Sequence, residues 1–384
     1  MLGGYVRCKV KSPRRSQSKM PIRLQPSFFD IHERSAKLTE MGDPLVGLNE
    51  QIDWEAFRPS LNGVHEKVRK SNAGAKPLDV VLMFKILVLQ QLHNLSDDRI
   101  EYQIRDRLSF MRFLGLQLES RVPDAKTVWL FRERLKELNL VEALFAKFHE
   151  QLAKRGYVAR AGQMIDATFV EVPRQRNSRE ENAGIKAGAP PEAWKQQPTK
   201  RRQKDMDARW TKKNNETHYG YKNHINADEA HKLVQSYAVS DAAVHDSQVF
   251  EVLLDQTVDA QGKKRAAYAD SAYRSKEREQ TLAQEGFESH IHEKGTRGHP
   301  LTEEQKTSNR IKSKTRVRVE HVFGAQHAMG GHLVRTIGLA RAKVKIGMMN
   351  LVYNMKRLGQ LLKRDAQAAV VASTAQGRGA SAVA

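Results

Sequence analysis

The chain has 384 residues, with 65 Lys and Arg against 44 Asp and Glu and a formal net charge of +21. At roughly 100–200 residues per domain there is room for two or three domains, and the cation excess makes a polyanion the natural partner, nucleic acid before anionic membrane. No apolar run reaches the ~20 residues of a membrane span, and the single cysteine, Cys8, excludes an intrachain disulfide framework and a multi-cysteine zinc site and fits a reducing, cytoplasmic setting.

Residues 1–42 are polar and basic. Lys9, Lys11, Arg14, Arg15 and Lys19 have no apolar core beside them, which excludes a secretory signal and predicts a disordered segment. Residues 43–150 read as an all-helical domain. From Lys76 to Gly115 the apolar residues Leu78, Leu82, Ile86 and Leu89 recur at helical spacing, and Pro77 suits a first helical turn. The apolar run Val80–Leu92 is interrupted by Lys85 and by Gln90 and Gln91, so it reads as a core helix. Ser96 is placed to cap the next helix, with Leu95 and Ile100 as a hydrophobic staple. Ile100, Ile104, Leu108 and Met111 continue one face, which Gly115 ends. Asp124 opens a further helix in which Val128, Phe131 and Leu135 face inward while Lys126, Arg132, Arg134 and Lys136 do not.

At Tyr157 the pattern changes to strand through Met164, Ile165, Phe169, Val170 and Val172, and a second domain, 151–363, begins. Residues 174–215 are basic and broken by Pro190, Pro191 and Pro198, which predicts a long surface loop. Trp194 and Trp210 within it suit either stacking on a base or docking onto the body. Two strand runs, Tyr219–Ile225 and Lys232–Val239, read as a hairpin. A helix from Asp246, a short strand Arg265–Ala269, a long helix from Thr302 to about Ala328 and a last helix Arg341–Leu362 follow. The Ala-, Ser- and Gly-rich tail 364–384 is expected to be disordered.

Three acids in this second domain carry the chemistry. Phosphodiester cleavage needs a strong oxygen nucleophile and a neutralised leaving oxygen, and two divalent ions ~3.5–4 Å apart supply both. Magnesium asks for a few hard oxygen ligands converging from separate elements, with no fixed sequence spacing. Asp166 sits mid-strand, where alternation puts it and Thr168 on one face. Asp270 ends a strand among small residues, the place where open α/β sheets bind ligands, although it is equally suited to cap a turn. Glu320 flanks the apolar face of Val319, Val322 and Phe323 and can also be an ordinary i, i+4 partner of Arg316. His290, His292 and His299 lie in a loop without cysteine and make a poor metal set.

The runs Met164–Thr168, Tyr219–His224, Val244–Ser247, Tyr268–Tyr273 and Arg316–Gly324 together resemble the transposases of insertion sequence five and its relatives. The Arg-x-x-x-Glu spacing at Arg316 and Glu320 is that family's signature helix, and residues 43–137 resemble its helical domain. The resemblance implies an α/β, RNase H-like catalytic domain, a mixed sheet flanked by helices, with an all-helical N-terminal domain. It also implies a catalytic and metal-binding triad of Asp166, Asp270 and Glu320, loaded with two Mg2+ ions for which Mn2+ substitutes. In the wider signature a Tyr stands three residues before the Arg and a Lys seven after the Glu; here these positions hold Ser313 and His327.

Double-stranded DNA, as terminal inverted repeats and target, is the implied partner, with a homodimer on DNA and a nucleoid location. Arg316 and Arg318 are expected near the scissile phosphate, with Lys222, Lys126, Arg132 and Arg134 as further contacts. A solvated charged face is the alternative for the last three. Two other functions fit the same residues: a metal-dependent nuclease of this fold that hydrolyses without joining, and a decayed relative that binds DNA and regulates. An RNA-binding role accounts for the charge but leaves the three acids unexplained.

Overall fold

The structure, a computed structural model, describes residues 30–66, 76–159, 161–189, 191–213, 215–258 and 261–380, with side chains up to 373. The expectations for residues 1–29 and for 381–384 lie outside this range. The chain divides into two units at Asp43. In the first, where disorder was expected, Asp30–Glu40 forms a helix, α1, with Asp30 and Glu33 in its first turn, Lys37 in its last and no buried residue. That charge order matches the helix dipole and accounts for a helix the burial pattern does not require.

The second unit opens with α2 (Pro44–Gln51), α3 (Arg58–Asn62), α4 (Val80–Leu92), α5 (Asp97–Asp106), α6 (Leu108–Leu114), α7 (Ala125–Glu137) and α8 (Leu140–Lys154). α4 starts later than Pro77 suggests, because Asp79 caps it by accepting from the amides of Val81 and Leu82. It is buried on nearly every side. Lys85, within it, donates to Asn49 Oδ1 at 2.8 Å and lies over the rings of Trp54 and Phe113, and burial pushes its ammonium down to about 8. Ser96 caps α5 as expected. The face expected to run on from Ile100 to Met111 is interrupted at Arg107, whose extended backbone separates α5 from α6, and Gly115 ends α6 in the left-handed region. Asp124 caps α7 through the Thr127 amide at 2.7 Å.

The rest comprises β1 (Gln163–Glu171), α9 (Arg179–Lys186), α10 (Pro198–Arg202), β2 (Arg209–Lys213), β3 (Glu216–Asp228), β4 (Val234–Asp241), α11 (Phe250–Leu253), β5 (Ala267–Ala269), α12 (Lys276–Gln284), β6 (Ser289–Ile291), α13 (Glu303–Arg316), α14 (Arg318–Ala328) and α15 (Leu339–Ala380). β3 pairs antiparallel with β1 and with β4, β2 pairs with its first residues, and β5 and β6 continue in parallel from β1. This is the mixed, helix-flanked sheet of an RNase H-like domain. Gly220 sits where β1, β2 and β3 meet, at φ +149°, and a Cβ there would collide with the Val170 carbonyl oxygen.

Three stretches differ from expectation. The segment 174–215 holds α9, α10 and β2. Ser178 and Glu181 close a capping box, and the fully buried Trp194 donates from its indole to Glu181 Oε1 at 2.8 Å, so this Trp packs within the segment itself, against α9. Trp210 stays 41% exposed, against Tyr219. The helix expected from 302 to 328 breaks at Val317 into α13 and α14. α15 runs to Ala380, through the tail expected to be disordered, because its Ala-rich composition has high helix propensity even where nothing covers it.

The larger core joins α2–α8 to Met164 and Ile225 of the sheet and to α14 and α15; a second core, with Ile165, Phe250, Ala269 and Tyr273, lies on the other face of the sheet.

Candidate active site

Asp166 pairs in register with Ile225, which lies in the larger core, and its side chain is only 13% exposed. A carboxylate so placed must find donors. It finds two: the Ala167 amide donates to Oδ1 at 2.8 Å, and Arg316 Nη1 donates to Oδ2 at 2.9 Å. Burial pushes the Asp166 carboxyl up to about 6; the amide and Arg316 pull it back, and the neighbouring charge of Asp270 pushes the same way as burial.

Asp270 owes its position to the parallel pairing of β1 and β5. Gln163 pairs with Ala267 and Met164 with Tyr268. The same register carried two places further sets Asp166 beside Asp270, on strands about 4.8 Å apart. Asp270 also caps the 3-10 turn Ser271–Tyr273, Oδ1 accepting from the Ala272 amide at 2.8 Å. Capping occupies one oxygen and leaves the other for a ligand. Tyr273 lies buried beside this pair with no hydrogen-bond partner for its hydroxyl. Burial, then the charges of Asp166, Asp246 and Asp270, raise its pKa.

Glu320 stands in the first turn of α14, and its side chain is 62% exposed. Its carboxylate is 3.8 Å from Arg316 Nη2, so both the ordinary i, i+4 pair and the link to the acids are present. Arg316 at the end of α13 joins Asp166 to Glu320, and its buried Nε makes no hydrogen bond. Ser313, one turn earlier, lies 3.3 Å from His292 Nε2 and donates to the Asn309 carbonyl. His327 lies two turns after Glu320, its ring 5.9 Å from that of His332.

The other expected contacts are dispersed. Arg318 reaches Glu229 at 3.3 Å. Lys222 is 7% exposed and donates to Asp246 Oδ1 and to the Val244 carbonyl, each at 2.7 Å. Arg132 is held in a two-bond pair with Asp97 at 2.7 Å, Arg134 pairs with Glu137, and Lys126 is exposed on α7. Sequence reasoning treated Asp246 as a helix opener and did not see it as a buried partner of Lys222, with Lys213 3.9 Å away. The available signals were an acid after a strand-and-turn run and its place in the Val244–Ser247 run of the family resemblance, neither of which pointed to Lys222.

The donor set suits a hard divalent cation. Asp166 on β1 and Asp270 just past the adjacent β5 offer carboxylate oxygens, and burial, opposed by the Ala167 amide and Arg316, raises the Asp166 carboxyl. Among the described residues no three acidic or imidazole groups converge as a ready metal cage, and Arg316 lies between Asp166 and Glu320.

A sheet of this order, with one acid in the middle of β1 and another just past the end of β5, defines an RNase H-like domain whose ligand edge is acidic. Residues 159–355, just over half of the chain, match the family model of the transposase DDE domain, and residues 32–134 match a further transposase-domain model. The chain belongs to the DDE transposase family. One solved structure similar to it is the cryo-EM structure of the piggyBac transposase synaptic complex with hairpin DNA, 14% identical, covering 83% of this chain and 74% of that one, with a TM-score of 0.43.

Proposed function

We propose that this chain is the transposase of a bacterial insertion sequence, which binds terminal inverted repeats as a homodimer and cuts and rejoins DNA with Asp166, Asp270 and Glu320. The observation that carries this reading is a largely buried Asp166 on β1 that feels the charge of Asp270, the residue following the parallel strand β5, within a domain of the DDE family. Asp166 and Asp270 would hold the divalent ions, Mg2+ or Mn2+, and Glu320 would complete the set. Bound there, the ions supply an activated oxygen nucleophile and neutralise the leaving oxygen.

Water attacks the phosphorus at the transposon end, a new P–O bond forms, and the bond to the 3′ oxygen breaks to leave a 3′-hydroxyl. That oxygen then attacks a phosphorus in target DNA, and the target's own 3′ oxygen leaves with a proton. The residues set the stage for both steps. β1 and β5 fix the two Asp carboxylates, and Arg316, already bound to Asp166, carries a charge that suits a non-bridging phosphate oxygen. The helical region 43–150 contributes Lys126 and its neighbours to duplex binding, and nucleoid association follows from binding DNA. No described helix is long and apolar enough to cross a membrane.

The test compares wild type with Asp270→Asn on labelled terminal-repeat duplex in magnesium, scoring release of the 3′ end and joining to a plasmid. Wild type should do both, and the variant should bind and do neither. Cutting without joining would favour the nuclease reading. Binding without cutting by either protein would favour a regulator.

A further inference from the structure

A cleft of about 710 Å3 opens between the α4–α5 turn, α7, the segment 330–336 and α15. Four cations line it; Arg132 is paired with Asp97, whereas Arg99, Arg335 and Lys345 make no side-chain hydrogen bond or ion pair among the described residues. Its one acid, Asp97, is already taken up by Arg132. Lys345 is half-buried; burial, then the Arg132 charge, push its ammonium down to about 8, with Asp97 pulling the other way without an ion-pair contact. Thr336 lines the same space, and its hydroxyl is buried without a partner. An unpaired cation in a partly dry place is costly, and an anion brought there relieves that cost.

The cleft is also tied to the catalytic edge. The His332 carbonyl accepts from the Glu171 amide at 2.9 Å, and the Val334 amide donates to the Glu171 carbonyl at 2.8 Å, so this segment extends the sheet beside the end of β1. Glu171 lies five residues from Asp166, about 17 Å along a strand. The other link runs through α14, where Glu320 and His327 are seven residues and about 10 Å apart, and His327 adjoins His332. Spans of 10–17 Å correspond to roughly three to five phosphate steps along one DNA strand.

We infer that this cleft, through Arg99, Arg335, Lys345 and Thr336, seats a backbone phosphate of the duplex a few nucleotides from the bond that reacts. The inference rests on the transposase reading and adds to it an anchoring site outside the carboxylates. A free phosphate offers the same chemistry, and the test separates the two sources.

Arg335→Gln, at an exposed position, and Lys345→Gln are prepared singly in the full chain. Duplex affinity is measured from about 50 to 200 mM salt, with inorganic phosphate titrated separately by calorimetry. Each phosphate contact contributes about 0.9 to the slope of log affinity against log salt. Each variant should lose about 3- to 10-fold in affinity at low salt, equally on specific and unrelated duplexes, with the slope shallower by up to about one. Wild-type binding with an unchanged slope in both variants overturns the cleft while leaving the transposase reading intact. Phosphate binding that both variants lose while duplex binding and slope stay unchanged assigns the cleft to a free anion and overturns the duplex assignment. Failure of wild type to bind any duplex sinks both readings.

Discussion

Two largely buried aspartates, Asp166 on β1 and Asp205 between α10 and β2, differ in how their carboxylates are satisfied. Asp205, 2% exposed, accepts from the amides of Asp207, Ala208 and Gly338 and from the Tyr221 hydroxyl. These donors tie the segment after α10 to β3 and to the start of α15. Asp166 accepts from one amide and one guanidinium and faces the like charge of Asp270. Donor count separates the two. A carboxylate surrounded by fixed donors holds the fold together, whereas one left short of them by its own fold is poised for a cation.

The comparison breaks most visibly in activity. Asp166→Asn should lower DNA cleavage by at least about 100-fold, since even partners of metal ligands cost 10–100-fold when removed, and it should leave duplex binding intact. Cleavage within a factor of two of wild type would remove Asp166 from the chemistry. Asp205→Asn should act on the fold instead. The amide replaces one acceptor oxygen with a donor facing other donors, which costs about 2–4 kcal/mol. Chemical denaturation should show a lower midpoint at unchanged slope, and an unchanged midpoint would mean that these hydrogen bonds hold nothing.

The same contrast explains what was legible beforehand. Strand alternation over Met164–Thr168, the hairpin of β3 and β4 and the caps Ser96 and Asp124 depend on neighbours within a few residues, so their types and spacing carry them. The segment 174–215 does not work that way. Its order comes from Trp194 reaching Glu181 and from Asp205 reaching Tyr221 and Gly338, contacts that composition cannot announce. At the site, Asp166 could be singled out by alternation along its strand and Asp270 by the strand end that positions it. The exposure of Glu320 and the place of Arg316 between it and Asp166 depend on the break at Val317 and on side-chain direction, and the Arg-x-x-x-Glu spacing is silent on both. The family resemblance supplied the role of Glu320; the residues alone favoured an ordinary helical ion pair, which the structure also contains.

The smallest expected effect is a gain in stability at the site. Because the Asp166 carboxyl titrates near 6 in the folded chain and near 3.9 when unfolded, the folded state binds the proton more tightly. Stability therefore falls as pH rises from about 4 to about 6 and stays lowered above that. Asp166→Asn removes the buried charge, so the variant should be more stable than wild type by about 1–3 kcal/mol at pH 8, even as its activity disappears. The difference should shrink as pH falls through 6 and vanish below about 4, where Asp166 is neutral in both states. Paired denaturation curves at pH 4, 6 and 8 without divalent metal make the measurement. A variant less stable than wild type at pH 8 would mean that the Arg316 pair outweighs the burial cost, and Asp166 would then belong with Asp205 as a structural acid.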